Sequence, residues 1–457
     1  MVDTPRRTFV RRLGAAGIAT TAFAQGASAD DRTENRDGDR TRGRLEKLGQ
    51  ALPPGGNPDH VTYTFGHVSP DGKWGAISSF PEDGEVMSSL YDLSNLENPE
   101  LVHELGPPND LTRSNDVKFD PHREGIYVRS LEADDEGPLE DPVADTDGLE
   151  GIEVVDFGCE EGTPTEPEVV ATLETPYTGV HKLTDHPEET VLYLVDKRPD
   201  GPGIIGVDFS DHRNPTVEAQ FGPDGYCHDM EVDTARDALH AAYIFGDNVG
   251  YATFDISDPL NPTQLGFFDY DDQPDYEAVG EPGFELAHQI HPEPKRDLAI
   301  MGDEVFDTIP GGKHVFDIGW GEGSLEDPKP IAFMGSPDAR EQGEGQGVWT
   351  THFHDVIYDR GEVLLVDGGY TQGTWVANIT DPCNPTPTER YATNDGVEDV
   401  DPYCWSAYYN EARGFAFAAD SGTGAYTFDV SAKPARGEDC GGPDGHFDLG
   451  AILDDEE

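Results

Sequence analysis

The stretch that decides the fold is residues 251–268, YATFDISDPLNPTQLGFF. It reads as a short apolar strand, an Asp before a turn rich in Ser, Pro and Asn, and a second strand that opens after a Pro. The first part of this pattern occurs seven times, at a spacing of roughly 45 to 65 residues, which indicates a repeat architecture. Its occurrences are SLYDLSN at 89, IEVVDFG at 152, IIGVDFS at 204, YATFDIS at 251, HVFDIGW at 314, WVANIT at 375 and AYTFDVS at 425.

Two further segments precede this pattern in every repeat. The first ends in Asp, Ser or Asn before a turn, as in CHDMEVDTARD at 227, and a strand follows it, as in ALHAAYI at 238. Together with the outer segment that Pro opens, each unit has four short antiparallel strands, which is typical of one propeller blade. The sequence therefore predicts an all-β fold, a seven-bladed β-propeller of four-stranded antiparallel blades over residues 45–457, with an acidic C-terminal tail.

The seventh unit has no obvious fourth strand after Phe428, Asp429 and Val430. The segment LEKLGQALPP at 45 matches the spacing of LVHELGPP at 101, so the N-terminal end is expected to complete the last blade. The alternative is HFDLGAIL at 446. Either closure would remove the open sheet edge that invites aggregation.

Three of the turns carry a family resemblance. The segments VDFSDHRNPTVEAQFG at 207, FDISDPLNPTQLG at 254 and NITDPCNPTPTERY at 378, with the pairs His228-Asp229 and His354-Asp355, resemble the LVIVD repeat of secreted archaeal and bacterial proteins. The resemblance extends over residues 60–432. It implies a propeller and extracellular placement, and it implies no established activity.

The charge of the chain is extreme. It has 92 acidic and 30 basic residues, for a formal charge of −62. Such a chain repels itself unless salt screens it, and at molar ionic strength the Debye length falls to roughly 3 Å. The composition thus predicts adaptation to high salt. Nucleic acid is excluded as a partner because the chain after the N-terminal region lacks runs of Lys and Arg.

The N-terminus has the pattern of an export signal. Arg6 and Arg7 precede an apolar stretch from Leu13 to Phe23, and Ala27-Ser28-Ala29 is a cleavage site. These features predict a twin-arginine signal peptide over residues 1–29, followed by a flexible charged linker over residues 30–44. The protein is then expected to be secreted or at the cell surface, without a membrane span, and to bind an unidentified extracellular ligand or surface component.

Five cysteines follow the signal, without CxxC spacing, so zinc-ribbon chemistry is excluded. Cys227 and Cys404 occupy matching positions, either as soft metal ligands, as a thiol pair or as small buried hydrophobic residues. A disulfide between Cys383 and Cys440 is a further expectation.

Histidines and aspartates recur in the first segment of the repeats, which lines the centre of a propeller. Imidazoles with a carboxylate suit zinc, copper, iron or nickel, and zinc or copper is the cofactor considered first. His352 and His354 are two residues apart, so strand alternation would place both on one face. The candidate metal ligands are His181, His228, His288, His352, His354, Asp229 and Asp355, with His291 close by.

The alternative for these residues is structural, because a His-Asp pair that recurs with the repeat can simply bond one strand to the next. The sequence lacks a nucleophile elbow, a phosphate-binding Gly loop and a haem-attachment CxxCH motif. The first functional hypothesis is therefore a non-enzymatic binding or scaffold protein. The second is a metal-dependent enzyme of oxidase or lyase type, similar in architecture to the propeller methanethiol oxidases, whose ligand motifs are not matched here.

The acidic excess predicts that folding depends on salt. Circular dichroism should show loss of β-structure when the protein is dialysed from molar salt to low ionic strength, because the charges are then unscreened. Full retention of the spectrum would contradict brine adaptation.

Overall fold

The computed structural model describes residues 43–81, 86–133, 135–136, 143–144, 148–175, 179–198, 201–270, 284–305, 310–337, 349–397 and 400–432. These residues form β-strands and one turn of 3-10 helix, Pro54–Gly56, so the all-β prediction is confirmed. Within the described ranges there is no helix long and apolar enough to cross a membrane. The predicted signal peptide, most of the linker, HFDLGAIL and Cys440 lie outside the described residues.

Most strands form antiparallel sheets with their neighbours in sequence. The first sheet contains β2 (Thr62–Val68), β3 (Trp74–Phe80), β4 (Ser88–Asp92) and β5 (Glu100–Leu105). The next contains β6 (Thr112–Arg113), β7 (Val117–Phe119), β8 (Ile126–Ala133), β11 (Gly151–Asp156) and β12 (Glu168–Glu174), with β6 and β7 both on β8; β9 (Asp135–Glu136) and β10 (Val143–Ala144) pair separately. The third contains β13 (Leu183–Asp185), β14 (Val191–Val195), β15 (Ile204–Asp208) and β16 (Thr216–Phe221).

Two more sheets repeat this arrangement, and the remaining strands share a larger sheet. The fourth contains β17 (Tyr226–Asp233), β18 (Ala238–Phe245), β19 (Gly250–Asp255) and β20 (Thr263–Asp269), and the fifth contains β21 (Ala287–Glu293), β22 (Leu298–Asp303), β23 (Lys313–Asp317) and β24 (Lys329–Met334). The eight-stranded sheet contains β25 (Phe353–Asp359), β26 (Glu362–Gly368), β27 (Thr374–Asn378), β28 (Thr386–Tyr391), β29 (Cys404–Asn410), β30 (Phe415–Asp420), β31 (Gly424–Ala432) and β1 (Gly43–Ala51). Its two antiparallel halves meet through one parallel pair, Phe353 and Ser406.

The recurring Asp of the repeat forms the turn after the third strand. Asp208 and Asp255 each accept the backbone N–H two residues later at 2.8 Å, and Asn378 does the same at 2.9 Å. Such Asx turns stabilise the chain reversal through the side chain itself. In the DPLNP turn, Asp258 also accepts the side-chain amide of Asn261 at 2.9 Å. The sequence pattern that defines the repeat is therefore a turn-forming device.

The hydrophobic core is divided among the interfaces between sheets. We call each of the five sheets described first, and each antiparallel half of the eight-stranded sheet, a group. Each of seven buried clusters draws its side chains from two successive groups. One of them joins the two ends of the chain, packing Phe415 and Phe417 of β30 against Tyr63 and Tyr91 of the first sheet. Each group is therefore covered on both faces by its two neighbours, and the middle strands accordingly have apolar side chains on both faces.

One strand of each group meets the corresponding strands of the neighbouring groups, and we call these the inner strands: β2, β7, β13, β17, β21, β25 and β29. Each contacts the inner strand of the next group, and β29 contacts β2. The fourth strands are the most exposed, as the alternating burial of β16 illustrates. The polar residues of the repeat's first segment are therefore gathered where the groups meet.

The N-terminal strand completes the last group. β1 pairs antiparallel with β31 over eight Cα pairs, from Gly43 with Ala432 to Ala51 with Ala425. This pairing confirms the expectation for LEKLGQALPP, although the strand begins at Gly43, two residues inside the predicted linker. Lys47 reinforces it through an ion pair with Asp395, at 2.7 Å between Nζ and Oδ2.

Removal of residues 1–51 should lower the free energy of unfolding by several kcal/mol, since each net hydrogen bond of the lost pairing is worth about 0.5–1.5 kcal/mol. The uncovered edge of β31 should also promote aggregation. The matched control is removal of residues 1–42, which leaves β1 in place and should leave the urea midpoint in molar salt unchanged. Equal midpoints for the two truncations would show that β1 does not secure the last group.

Candidate metal centre

Four of the predicted ligands come together at the start of successive inner strands. The ring centroids of His181 and His228 are 4.7 Å apart, those of His228 and His288 3.9 Å, and those of His288 and His352 4.5 Å. All four side chains are buried. We call these residues the histidine row. The rings of His228, His288 and His352 approach one another, as the repeat predicts, but the ligand atoms that lie within 4.8 Å of one another include those of His288 and His352 and not those of His228.

Backbone irregularities orient the row. The pairing of β17 with β18 shifts register between Cys227 and Asp229, so His228 is the extra residue of a β-bulge. β21 has the same irregularity between Ala287 and Gln289, around His288. A bulge interrupts strand alternation and re-aims one side chain. The histidines therefore leave the alternating pattern of their own strands and face one another.

Hydrogen-bond partners fix the tautomer of three imidazoles. His228 Nδ1 lies 3.0 Å from the carbonyl oxygen of His288, and His352 Nδ1 contacts the carbonyl oxygen of Trp405. A carbonyl oxygen only accepts, so each Nδ1 must carry the proton and each neutral ring presents a lone pair on Nε2. His181 Nδ1 likewise lies 2.8 Å from Glu132 Oε2. The Nε2 of His181 already accepts the side-chain amide of Asn115 at 3.1 Å, so its lone pair is occupied. The arrangement in which a protein acceptor on Nδ1 prepares an imidazole to bind a metal therefore applies to His228 and His352.

A carboxylate and a phenol complete the cluster. Ligand atoms of His288, Glu304 and His352 all lie within 4.8 Å of one another. Glu304 Oε2 is 3.6 Å from His288 Nε2, and Glu304 Oε1 is 3.7 Å from His352 Nε2. The hydroxyl of Tyr370 is 2.8 Å from His352 Nε2 and 2.5 Å from Glu304 Oε1. We call His288, Glu304, His352 and Tyr370 the central cluster.

The protonation of the central cluster suits a cation. Burial lowers the pKa of both His288 and His352 well below the ordinary value for histidine. Both imidazoles are therefore neutral near neutral pH, which is the form that donates a lone pair to a metal. Ligand atoms 3.6 to 3.7 Å apart also match the roughly 3–4 Å expected when nitrogen and oxygen ligands share a zinc-sized ion.

Sequence reasoning missed Glu304 and Tyr370, although a signal for the first existed. Glu304 directly follows the second strand of its sheet, and Glu132, the partner of His181, lies near the end of β8. Because the first two strands are antiparallel, the end of the second lies beside the start of the first. An acidic residue at the end of a second strand is therefore expected near the histidine at the start of the first strand, and this signal was available in the sequence.

His354 does not belong to this cluster. It is fully buried within β25, and neither ring nitrogen has a hydrogen-bond partner among the described residues. Its ring lies 5.9 Å from that of His291. The expectation that His352 and His354 share a face is wrong because His352 precedes the first residue of β25 and so lies outside the alternation of that strand.

Asp229 and Asp355 connect inner strands. Asp229 Oδ2 accepts the N–H of Ile290 at 3.1 Å, and Asp355 Oδ2 accepts that of Tyr409 at 2.9 Å. Asp116 does the same for Leu183 at 3.1 Å. Asp229 and Asp355 were candidates for ligands or for partners that orient the histidines. Their carboxylates accept backbone amides of the next group, as the structural alternative expects, and neither belongs to the three residues whose ligand atoms converge.

The matching cysteines are buried hydrophobic residues. Cys227 and Cys404 lie in two different core clusters, so they form no thiol pair, and burial raises the pKa of each thiol well above its ordinary value. Cys383 is an exposed free thiol, and the predicted disulfide with Cys440 falls on a residue outside the described part of the chain.

Comparison with known proteins adds no functional name. No family model matches the chain, and no curated protein matches it. One solved structure to which it is similar is a functionally unknown protein from Desulfotomaculum acetoxidans DSM 771, with a TM-score of 0.49 and 12% identity, over 74% of this chain and 87% of that chain. The site is therefore interpreted from its own geometry.

The pair of His291 and Asp355, on neighbouring inner strands, gives a pH prediction. Burial alone would lower the pKa of His291, but the Asp355 carboxylate, 3.2 Å from His291 Nε2, outweighs it and raises the pKa to about 9. Because the folded pKa exceeds the unfolded one, the stabilisation is complete below about pH 6.5 and is lost as pH rises through about 9.

Urea unfolding in molar salt should therefore show stability falling by roughly 1–3 kcal/mol between about pH 6.5 and 9. His291→Gln should remove this decline, because the titrating group is gone. His354→Gln is the matched control: burial keeps the pKa of His354 well below the ordinary value, so the decline should persist. An unchanged slope in His291→Gln would contradict the assignment.

Proposed function

We propose that this chain is an exported, seven-bladed β-propeller of the LVIVD-repeat kind that binds a transition-metal ion at one mouth of its channel. Support for the architecture comes from counting the five smaller groups and the two halves of the eight-stranded sheet as blades. The contact between β29 and β2, together with the core cluster that joins the two ends of the chain, is what closure of such a ring requires.

The observation that carries the metal proposal is the convergence of His288, His352 and Glu304 within 4.8 Å. The fixed tautomer of His352 is a second, independent support, because the carbonyl of Trp405 holds the proton on Nδ1 and leaves Nε2 for an ion. The Nδ1 of His228 is held in the same way, and its ring lies 3.9 Å from that of His288, but His228 is not one of the three residues whose ligand atoms converge.

Proton counting around Tyr370 points the same way. Its hydroxyl has one proton and lies within hydrogen-bond distance of two acceptors, His352 Nε2 and Glu304 Oε1. One phenol proton cannot satisfy both contacts at once. A cation between these groups would pair with both lone pairs. A proton on Glu304 would also resolve the conflict, because the carboxylic acid would donate to the Tyr370 oxygen and Tyr370 would donate to His352 Nε2. The donor set of two imidazoles and a carboxylate fits the first solution.

A metal held this way supports an enzyme over a passive scaffold. Two imidazoles and one carboxylate leave coordination positions open, and an ion there can polarise or activate a substrate when bound. We therefore favour a metal-dependent enzyme of oxidase or lyase type, acting outside the cell in high salt. If the purified protein binds no metal, the binding or scaffold function is the remaining hypothesis.

The experiment is elemental analysis of protein purified in molar salt. The wild type should hold about one transition-metal ion per chain, and His288→Ala or His352→Ala should lower the metal affinity at least 10- to 100-fold. His354→Ala is the matched control and should retain the metal, since His354 lies outside the cluster. Wild-type protein without metal, even after addition of zinc, copper and iron salts, would refute the enzyme proposal.

A further inference from the structure

We propose that Tyr370 is a ligand of this metal, bound as phenolate, and that the complete site of two imidazoles, a carboxylate and a phenolate selects ferric iron. This inference rests on the proposed metal centre and extends it to a fourth ligand and to the identity of the ion. Its first support is proximity, because the Tyr370 hydroxyl donates to Glu304 Oε1 at 2.5 Å and lies 2.8 Å from His352 Nε2. These are hydrogen-bond distances, and an ion that replaces the phenol proton would widen them to the roughly 3–4 Å between ligands of one ion.

The backbone of Tyr370 is held in a conformation that favours glycine. Its φ is 45°, in the left-handed region that a tyrosine rarely adopts. Two reciprocal hydrogen bonds with Cys404 hold it there, at 2.6 Å from Tyr370 N to Cys404 O and 3.0 Å from Cys404 N to Tyr370 O. Strain of this kind persists where the surrounding structure over-determines it, and it concentrates at functional sites.

The phenol ring is equally restricted. Tyr370 is 1% exposed, and its ring packs 4.2 Å from that of His352, 4.7 Å from that of Tyr403 and 5.4 Å from that of Trp405. A change of the Tyr370 χ1 angle, which would carry the hydroxyl away from Glu304, would have to displace these neighbouring rings. The phenolic oxygen is thus presented to the central cluster by packing, before any ion binds.

The charge of the ligand set favours a trivalent ion. On coordination the phenolic O–H bond breaks, the oxygen bonds to iron and the proton leaves to solvent. The site then has two anionic oxygens, from Glu304 and Tyr370, and two neutral imidazoles, from His288 and His352. Hard anionic oxygen donors prefer a hard cation of high charge, and two imidazoles with a carboxylate already suit non-haem iron.

The test is addition of ferric nitrilotriacetate to metal-free protein in molar salt, followed by visible absorption and resonance Raman spectroscopy. Iron bound through a phenolate gives a visible charge-transfer band, and excitation in that band enhances tyrosinate ring vibrations. Tyr370→Phe should abolish the band and weaken iron binding by about 10- to 100-fold. Tyr403→Phe is the matched control, since Tyr403 packs on Tyr370 without belonging to the cluster, and it should keep the band.

The outcomes separate this inference from the proposed function. An unchanged band in a folded Tyr370→Phe variant overturns the ligand role. Wild-type protein that binds zinc or copper through His288 and His352, but no ferric iron, overturns the choice of ion and leaves the metal centre. No binding of any of these ions overturns both. If Tyr370→Phe does not fold, the absence of tyrosinate vibrations from iron-loaded wild type still refutes phenolate ligation.

Discussion

The structure depends on hydrogen bonds between inner strands that no continuous backbone ladder joins. Each inner strand pairs with its own second strand on one side, and on the other side it meets the next group at an angle, where its amides need partners. Side chains supply them: Asp116, Asp229 and Asp355 accept amides of the following inner strand. Gly66 donates to the hydroxyl of Ser406 at 3.0 Å where the last group meets the first. These bonds fix four of the neighbouring pairs of groups relative to each other.

The same requirement fills the centre with charge. Lys182 is buried, with its Nζ 3.1 Å from Asp116 Oδ2 and 4.1 Å from the centroid of the Phe65 ring. Burial raises the pKa of Asp229 to about 7, while Lys182 opposes that rise. A polar, water-poor centre of this kind strengthens every electrostatic interaction within it. The histidine row lies among these buried polar groups, so the proposed metal site would use side chains of the strands that join the groups.

Burial of basic residues also bears on the surface. Several of the few lysines and arginines are enclosed in ion pairs, including Arg129 with Glu153 at 2.6 Å and Lys313 with Asp367 at 2.7 Å. Each acidic partner they neutralise is also inside. The surface is therefore left with the acidic excess and little to offset it. The interior ion pairs are shielded from salt, and the pair of Lys313 with Asp367 joins two groups, whereas the pair of Arg129 with Glu153 lies within one sheet.

The sequence by itself determined the strands, the turns and the repeat, because these depend on neighbours in the chain. Asp208, Asp255 and Asn378 form their turns through bonds to residues two positions later. The same periodicity predicted polar inner strands. It also identified His228, His288 and His352 as candidate ligands. Only the tertiary structure decided that Glu304 and Tyr370 join them and that His354 does not. The reason is that bulges at His228 and His288, and the position of His352 before its strand, break the alternation on which sequence reasoning relies, while Tyr370 reaches the cluster through a turn held by Cys404 of the next group.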